Sequence, residues 1–267
     1  MPSLTPLRQE CIGDKLLIKA KELKGFSLRS IDGDIGSASE FLFDDQYWTI
    51  RYLVANTASW LSGKKVLISP YSLTGVNQDD QEVSVSLTKK QVENSPSIDT
   101  DKPVSRQYEG AYNGYYGYPG YWGGPYAWGV YPYIERDRTR WNLSAAENAR
   151  TDWHLRSTKE VTGYNLLAID GEIGHVDDFI IDDETWTIRY LVVATRNWWP
   201  GKKVLISPKW IDSVSWDNKE VAVDISRETI KTAPEYTDEA LFTRDYETGL
   251  YGHYNREGYW VEELTAV

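Results

Sequence analysis

The 267-residue chain is poor in several residue types. It has one cysteine (Cys11), one methionine (Met1), three histidines and five phenylalanines. A single cysteine excludes an intrachain disulfide and any thiolate metal or redox cluster. One methionine excludes an adaptable Met-rich groove. The longest apolar run, Ile50 to Ala55, is broken by Arg51, so nothing approaches the roughly 18–20 apolar residues of a membrane span. The N-terminus lacks a basic start followed by an apolar core, and the expected location is cytoplasmic. Excess positive charge is lacking too. The net charge is −11, of which residues 141–267 carry −10 (13 Lys+Arg against 23 Asp+Glu). No cationic face is offered to phosphates, so nucleic acid is not the expected partner. The acidity gives solubility, or steers a basic partner.

What is abundant is tyrosine (19) and tryptophan (12), side chains with an apolar body and a polar tip that suit cores and interfaces alike. Residues 25–96 align without gaps on residues 163–234 at an offset of 138, with 33 of 72 positions identical. GKKVLISP recurs unchanged at 63–70 and 201–208. The offset also matches Arg106, Tyr108 and Glu109 to Arg244, Tyr246 and Glu247, and Gly120-Tyr121-Trp122 to Gly258-Tyr259-Trp260. A period this long means two tandem domains rather than a solenoid. The units run from 8 to 122 and from 146 to 260, with a Gly/aromatic linker at 123–145.

Each unit reads as β. In the first, the candidate strands are Lys15 to Glu22, Ile35 to Phe43, Trp48 to Ala55, Val66 to Ser69, Leu73 to Asn77 and Glu82 to Leu87. They are short, β-branched or aromatic, and divided by Gly, Asp, Asn and Pro turns. Six short antiparallel strands per unit predict an all-β fold of two small six-stranded barrels, which remove sheet edges. Short helical segments follow each: Lys89 to Glu93 or Arg227 to Lys231, and then Phe242 to Tyr254, where Tyr246, Leu250 and Tyr254 share one face.

The repeated motif is Ile169-Asp170-Gly171-Glu172-Ile173-Gly174, then Phe179 to Asp183, then Trp186 to Val192, then Val204 to Pro208, with its mate from Ile31 to Pro70. In order and spacing it resembles the PRC-barrel family, over about 70 residues in each copy. That family is named for the cytoplasmic domain of the photosynthetic reaction-centre H subunit, and a similar barrel occurs in a ribosome small-subunit maturation factor. The resemblance implies a barrel that docks onto larger assemblies, with no catalytic triad, cofactor or metal. No stretch corresponds to the reaction-centre subunit's membrane anchor, so docking is expected rather than photosynthetic electron transport.

The residues themselves explain much of the motif without a ligand. Gly33, Gly36, Gly171 and Gly174 suit tight turns or close strand approach, and Asp32 and Asp170 suit turns. Arg51 and Arg189 interrupt apolar strands and call for a carboxylate across the sheet. Asp177-Asp178 and Asp182-Asp183 lie along a strand, not on a Gly-centred calcium loop, and none of His154, His175 and His253 recurs at its repeat mate. No Gly-x-Ser-x-Gly turn or phosphate loop occurs. An enzyme is not expected.

Trp198 and Trp199, followed by Lys202 and Lys203, and the mate Trp60 are candidate protein-docking anchors; the other reading is that they cap a barrel end or seal the two domains together. The tract Tyr108 to Tyr133 is low in complexity and reads as a linker or a sticky surface. The expected function is therefore a non-enzymatic docking or scaffold protein with a protein partner. The alternative is a small-ligand or polymer (carbohydrate)-binding module. Whether the barrels pair within a chain or between chains, as a homo-oligomer, is left open.

Overall fold

In the computed structural model, the described residues are 17–57, 61, 64–96, 98, 104–121, 155–195, 201–238 and 242–261. The first repeat contains β1 (Leu17–Lys19), α1 (Ala20–Leu23), β2 (Ser27–Ser30), β3 (Gly33–Asp44), β4 (Ile50–Asn56), β5 (Lys65–Ile68), β6 (Leu73–Asn77), β7 (Glu82–Val85), α2 (Lys89–Glu93) and α3 (Arg106–Tyr116). The second repeats this series as β8 (Leu155–Ser157), α4 (Thr158–Val161), β9 (Asn165–Ala168), β10 (Gly171–Asp182), β11 (Ile188–Thr195), β12 (Lys203–Ile206), β13 (Ile211–Ser215), β14 (Glu220–Val223), α5 (Arg227–Thr232) and α6 (Arg244–His253).

The fold is β-rich with two mixed seven-stranded sheets, and this corrects the expected closed antiparallel barrels. One sheet runs β5-β4-β3-β2-β7-β6 and the other β12-β11-β10-β9-β14-β13. Within them β2–β7 and β9–β14 are parallel pairs. The hydrogen-bonded path ends at β5 and β6, which a 3-10 turn (Pro70–Ser72) joins. Pro208–Trp210 repeats the turn. The two longer helices, with the shorter ones, make the chain β-rich rather than all-β. β2 has no counterpart among the expected strands. Its sequence, Ser-Leu-Arg-Ser, alternates exposed and buried but holds one apolar residue.

The expected strand Lys15 to Glu22 is also corrected. Among its described residues, Leu17–Lys19 is extended, and the chain then turns into α1; Lys15 and Leu16 lie outside the described residues. This short strand does not join its own sheet. β1 pairs antiparallel with β10 of the second repeat, Ile18 opposite Ile181. β8 returns the exchange on β3, Arg156 opposite Phe43. The repeats therefore trade their first strands.

A second junction sits on the same pseudo-two-fold axis. Thr49 and Thr187 form an antiparallel bridge. Ile50 N–H donates to Trp186 O and Ile188 N–H to Trp48 O, both at 2.8 Å. To turn these carbonyls across the junction, Trp48 and Trp186 adopt φ of +53° and +56°, a conformation that bulky residues rarely take. Their rings are buried: Trp48 stacks on Phe43 at 5.0 Å, and Trp186 meets Phe41 of the other repeat at 6.5 Å. Phe43 and Phe179 meet at 6.1 Å. One apolar core thus runs through both repeats.

Candidate functional site

Three features recur or meet at the repeat relation, and the motif residues sort among them. The first is a buried polar network. The Arg51 guanidinium donates to Asp44 Oδ2 at 2.8 Å and lies 4.1 Å over the Tyr121 ring. Glu109 of α3 accepts from the hydroxyls of Tyr52 (3.2 Å) and Tyr121, and pairs with Arg106 at 3.2 Å. The second repeat rebuilds each link. Arg189 reaches Asp182 at 2.6 Å and covers Tyr259 at 4.0 Å. Glu247 accepts from Tyr190 at 2.7 Å and Tyr259 at 2.8 Å, and pairs with Arg244 at 3.0 Å.

A charge at the centre of a sheet needs an internal partner, and here the partner also fastens the long helix to its sheet. Burial pushes the Glu109 carboxyl up, opposed by the Tyr121 hydrogen bond and then by Arg106. Burial raises Tyr52 and Tyr121 as well, so both phenols stay protonated and donate. Arg51 and Arg189 are consumed by this clamp. The sequence held its signal, since identity persists at Arg106/Arg244, Glu109/Glu247 and Tyr121/Tyr259 outside the strand core.

The second feature is the pair of hairpin tips. Asp32 Oδ1 accepts from Lys89 N–H at 2.7 Å, and Asp170 Oδ1 from Arg227 N–H at the same distance. Each Asp thereby ties its turn to the helix after β7 or β14. Gly33 and Gly171 adopt φ of +130° and +132° at these turns. Gly36 and Gly174 let strands approach, since an added Cβ would lie 2.0 Å from the Asn56 or Ala194 carbonyl oxygen. The tips carry Ile31 and Ile169, 69% and 72% exposed, at repeat-equivalent positions.

The third is a cleft of about 150 Å³ between α1 and α4. Ala20 and Thr158, Lys21 and Lys159, Lys24 and Thr162, Glu40 and Asp178, and Phe41 and Phe179 line it. These are repeat mates, so the cleft lies on the pseudo-two-fold axis. Its residues come from opposite repeats, which is why no local sequence pattern announces it. Asp178 Oδ1 accepts from Lys21 N–H at 3.1 Å and Phe179 N–H at 2.8 Å. Burial raises its carboxyl to about 6.

Trp60, Trp198 and Trp199 lie outside the described residues. Lys202 Nζ donates to Ala233 O at 2.6 Å, and Lys203 Nζ lies 3.2 Å from Asp177. Among the described residues no group of three or more His, Cys, Asp and Glu side chains is arranged to hold a metal ion, and no helix is long and apolar enough to cross a membrane.

The span from β8 to α5 holds the hairpin tip, the exchanged strand and the Arg189–Asp182 pair, in the order of the repeated motif. Residues 157–230 match the PRC-barrel domain family. No curated protein matches the chain. The PRC-barrel segment begins at the last residue of the exchanged strand and ends within α5. Its first-repeat counterpart, residues 19–92, carries the matching Arg51–Asp44 pair and tip.

Proposed function

We propose that the protein is a non-enzymatic docking module built from two PRC-barrel-like units, and that it presents two equivalent contact points to one protein partner. The observation that carries this reading is the doubled hairpin tip, an exposed isoleucine on a turn fixed by an Asp-to-helix hydrogen bond, present once per repeat. A lone exposed isoleucine is ordinary on a protein surface. Two at matched positions, on units locked by strand exchange, form a rigid bivalent display. The partner this fits carries a matching apolar pocket twice.

Bivalency supplies the test, because linked contacts raise avidity by about 10²–10⁴ over one. The full-length protein is used as bait beside Ile31→Ser, Ile169→Ser and the double variant. Each single variant is expected to weaken retention of a captured partner sharply, and the double to abolish it. A partner held equally by the double variant rules out the tips as anchors. Loss in a Trp198→Ala/Trp199→Ala variant instead assigns docking to that loop.

A further inference from the structure

The axial cleft is a duplicated half-site whose two halves have diverged, and the divergence gives it two ends. Glu40 is internally satisfied: its carboxylate accepts from Ser157 Oγ and lies 3.4 Å from Lys65 Nζ. Its mate Asp178 is 4% exposed and uses only Oδ1, for two backbone N–H groups. Oδ2 has no hydrogen-bond partner among the described residues, although the side chain lines the cleft. This oxygen is not among the buried atoms that lack a partner; it is open to water, which a ligand that donates to it can replace.

The cations are divided in the same way. Lys21 is taken by Asp177, at 2.6 Å. Lys24 and Lys159, both exposed, are among the residues lining the cleft and make no ion pair within 4 Å among the described residues. Lys24 has Thr162 as its mate, so this positive end is also asymmetric. Between the ends lie Phe41 and Phe179, with the small side chains of Ala20 and Thr158. The volume of about 150 Å³ matches that of a cavity able to take a benzene-sized body.

We infer that this cleft binds a small apolar α-amino acid, its ammonium on Asp178 Oδ2, its carboxylate between Lys24 and Lys159, and its side chain against Phe41 and Phe179. A symmetric dianion would leave Asp178 facing a like charge. A diamine would leave both lysines opposed. Only a molecule with one charge of each sign satisfies both ends. The inference is independent of the docking tips and stands or falls apart from them.

The test is calorimetric titration of the full-length protein with leucine, with 3-methylbutylamine (leucine without its carboxylate) and with 4-methylpentanoate (leucine without its ammonium). Leucine is expected to bind saturably, and each one-ended analogue about tenfold or more weaker, as loss of one charge-assisted hydrogen bond implies. Lys159→Met, a change at an exposed side chain, should weaken leucine similarly and leave the amine unaffected. Asp178→Asn should weaken leucine and leave the acid unaffected. This crossed pattern separates lost contacts from lost folding. The inference is overturned if leucine, methionine and phenylalanine all fail to bind into the millimolar range, if a one-ended analogue binds as well as leucine, or if neither variant changes leucine affinity.

Discussion

The two repeats keep the same polar clamp and pack different side chains around it. Arg51, Asp44, Tyr52, Glu109 and Tyr121 have identical mates in Arg189, Asp182, Tyr190, Glu247 and Tyr259. The aromatics beside them have moved. In the first repeat Tyr112 of α3 meets Tyr52 edge-on at 5.2 Å and takes the Ser69 N–H at 3.0 Å. In the second the mate of Tyr112 is Leu250, and Tyr251, one residue on, reaches Ser207, the mate of Ser69, at 3.4 Å. Small Ser72 admits Tyr118, whose hydroxyl it meets. Its mate Trp210 is itself buried against Tyr251 and Tyr254, at 5.2 and 4.5 Å. The lesson concerns tolerance. Apolar volume can be supplied from several directions, whereas a buried charge accepts only a partner with the right geometry.

The strand exchange shows the same division. The two backbone ladders are alike, but β1 is secured by Lys21 on Asp177 and Asp178, and β8 by Ser157 on Glu40 and Thr158 on Phe41 N–H.

If the clamps are equivalent, breaking either should cost the same, and this is the largest expected effect. Arg51→Met and Arg189→Met each strand a buried carboxylate, and denaturant unfolding should show losses of about 3–5 kcal/mol in both. A much smaller loss in one repeat would break the equivalence.

Next come the glycines. Gly36→Ala and Gly174→Ala meet the same carbonyl overlap, but only Gly36 has a positive φ, +124°. Gly36→Ala should be the worse by about 1–3 kcal/mol, read as the difference between their unfolding free energies.

Asp178 sharpens the contrast with Glu40 through pH. Its carboxyl rises from 3.8 to about 6 on folding, so folding takes up a proton between these values. Its stabilising contribution is complete below 3.8 and lost as pH rises through about 6. Stability measured across this window should drift downward by about 3 kcal/mol relative to Asp178→Asn, which lacks the titration. A flat difference would contradict the assignment. The smallest effect belongs to Lys21→Met, whose exposed pair with Asp177 should be worth at most about 1 kcal/mol.

Much of each repeat was legible because its contacts are local. β3 and β4, and β6 and β7, are hairpins whose alternation and turns lie within a few residues of one another. α2 announces itself by Thr88 and Gln91, which form a capping box. Arg51 in an apolar strand demands a carboxylate, and Asp44 is seven residues back.

The sequence by itself determined the duplication, the hairpins and the turn residues. The tertiary structure alone decided the parallel β2–β7 and β9–β14 pairs, the open sheets, the exchange of first strands and the axial cleft. The physical reason is degeneracy. β1 and β8 each pair through three described residues and meet nearly identical edges, Leu42-Phe43-Asp44 or Ile180-Ile181-Asp182. A short strand facing two such edges satisfies its hydrogen bonds on either, and only the path of the whole chain selects between them.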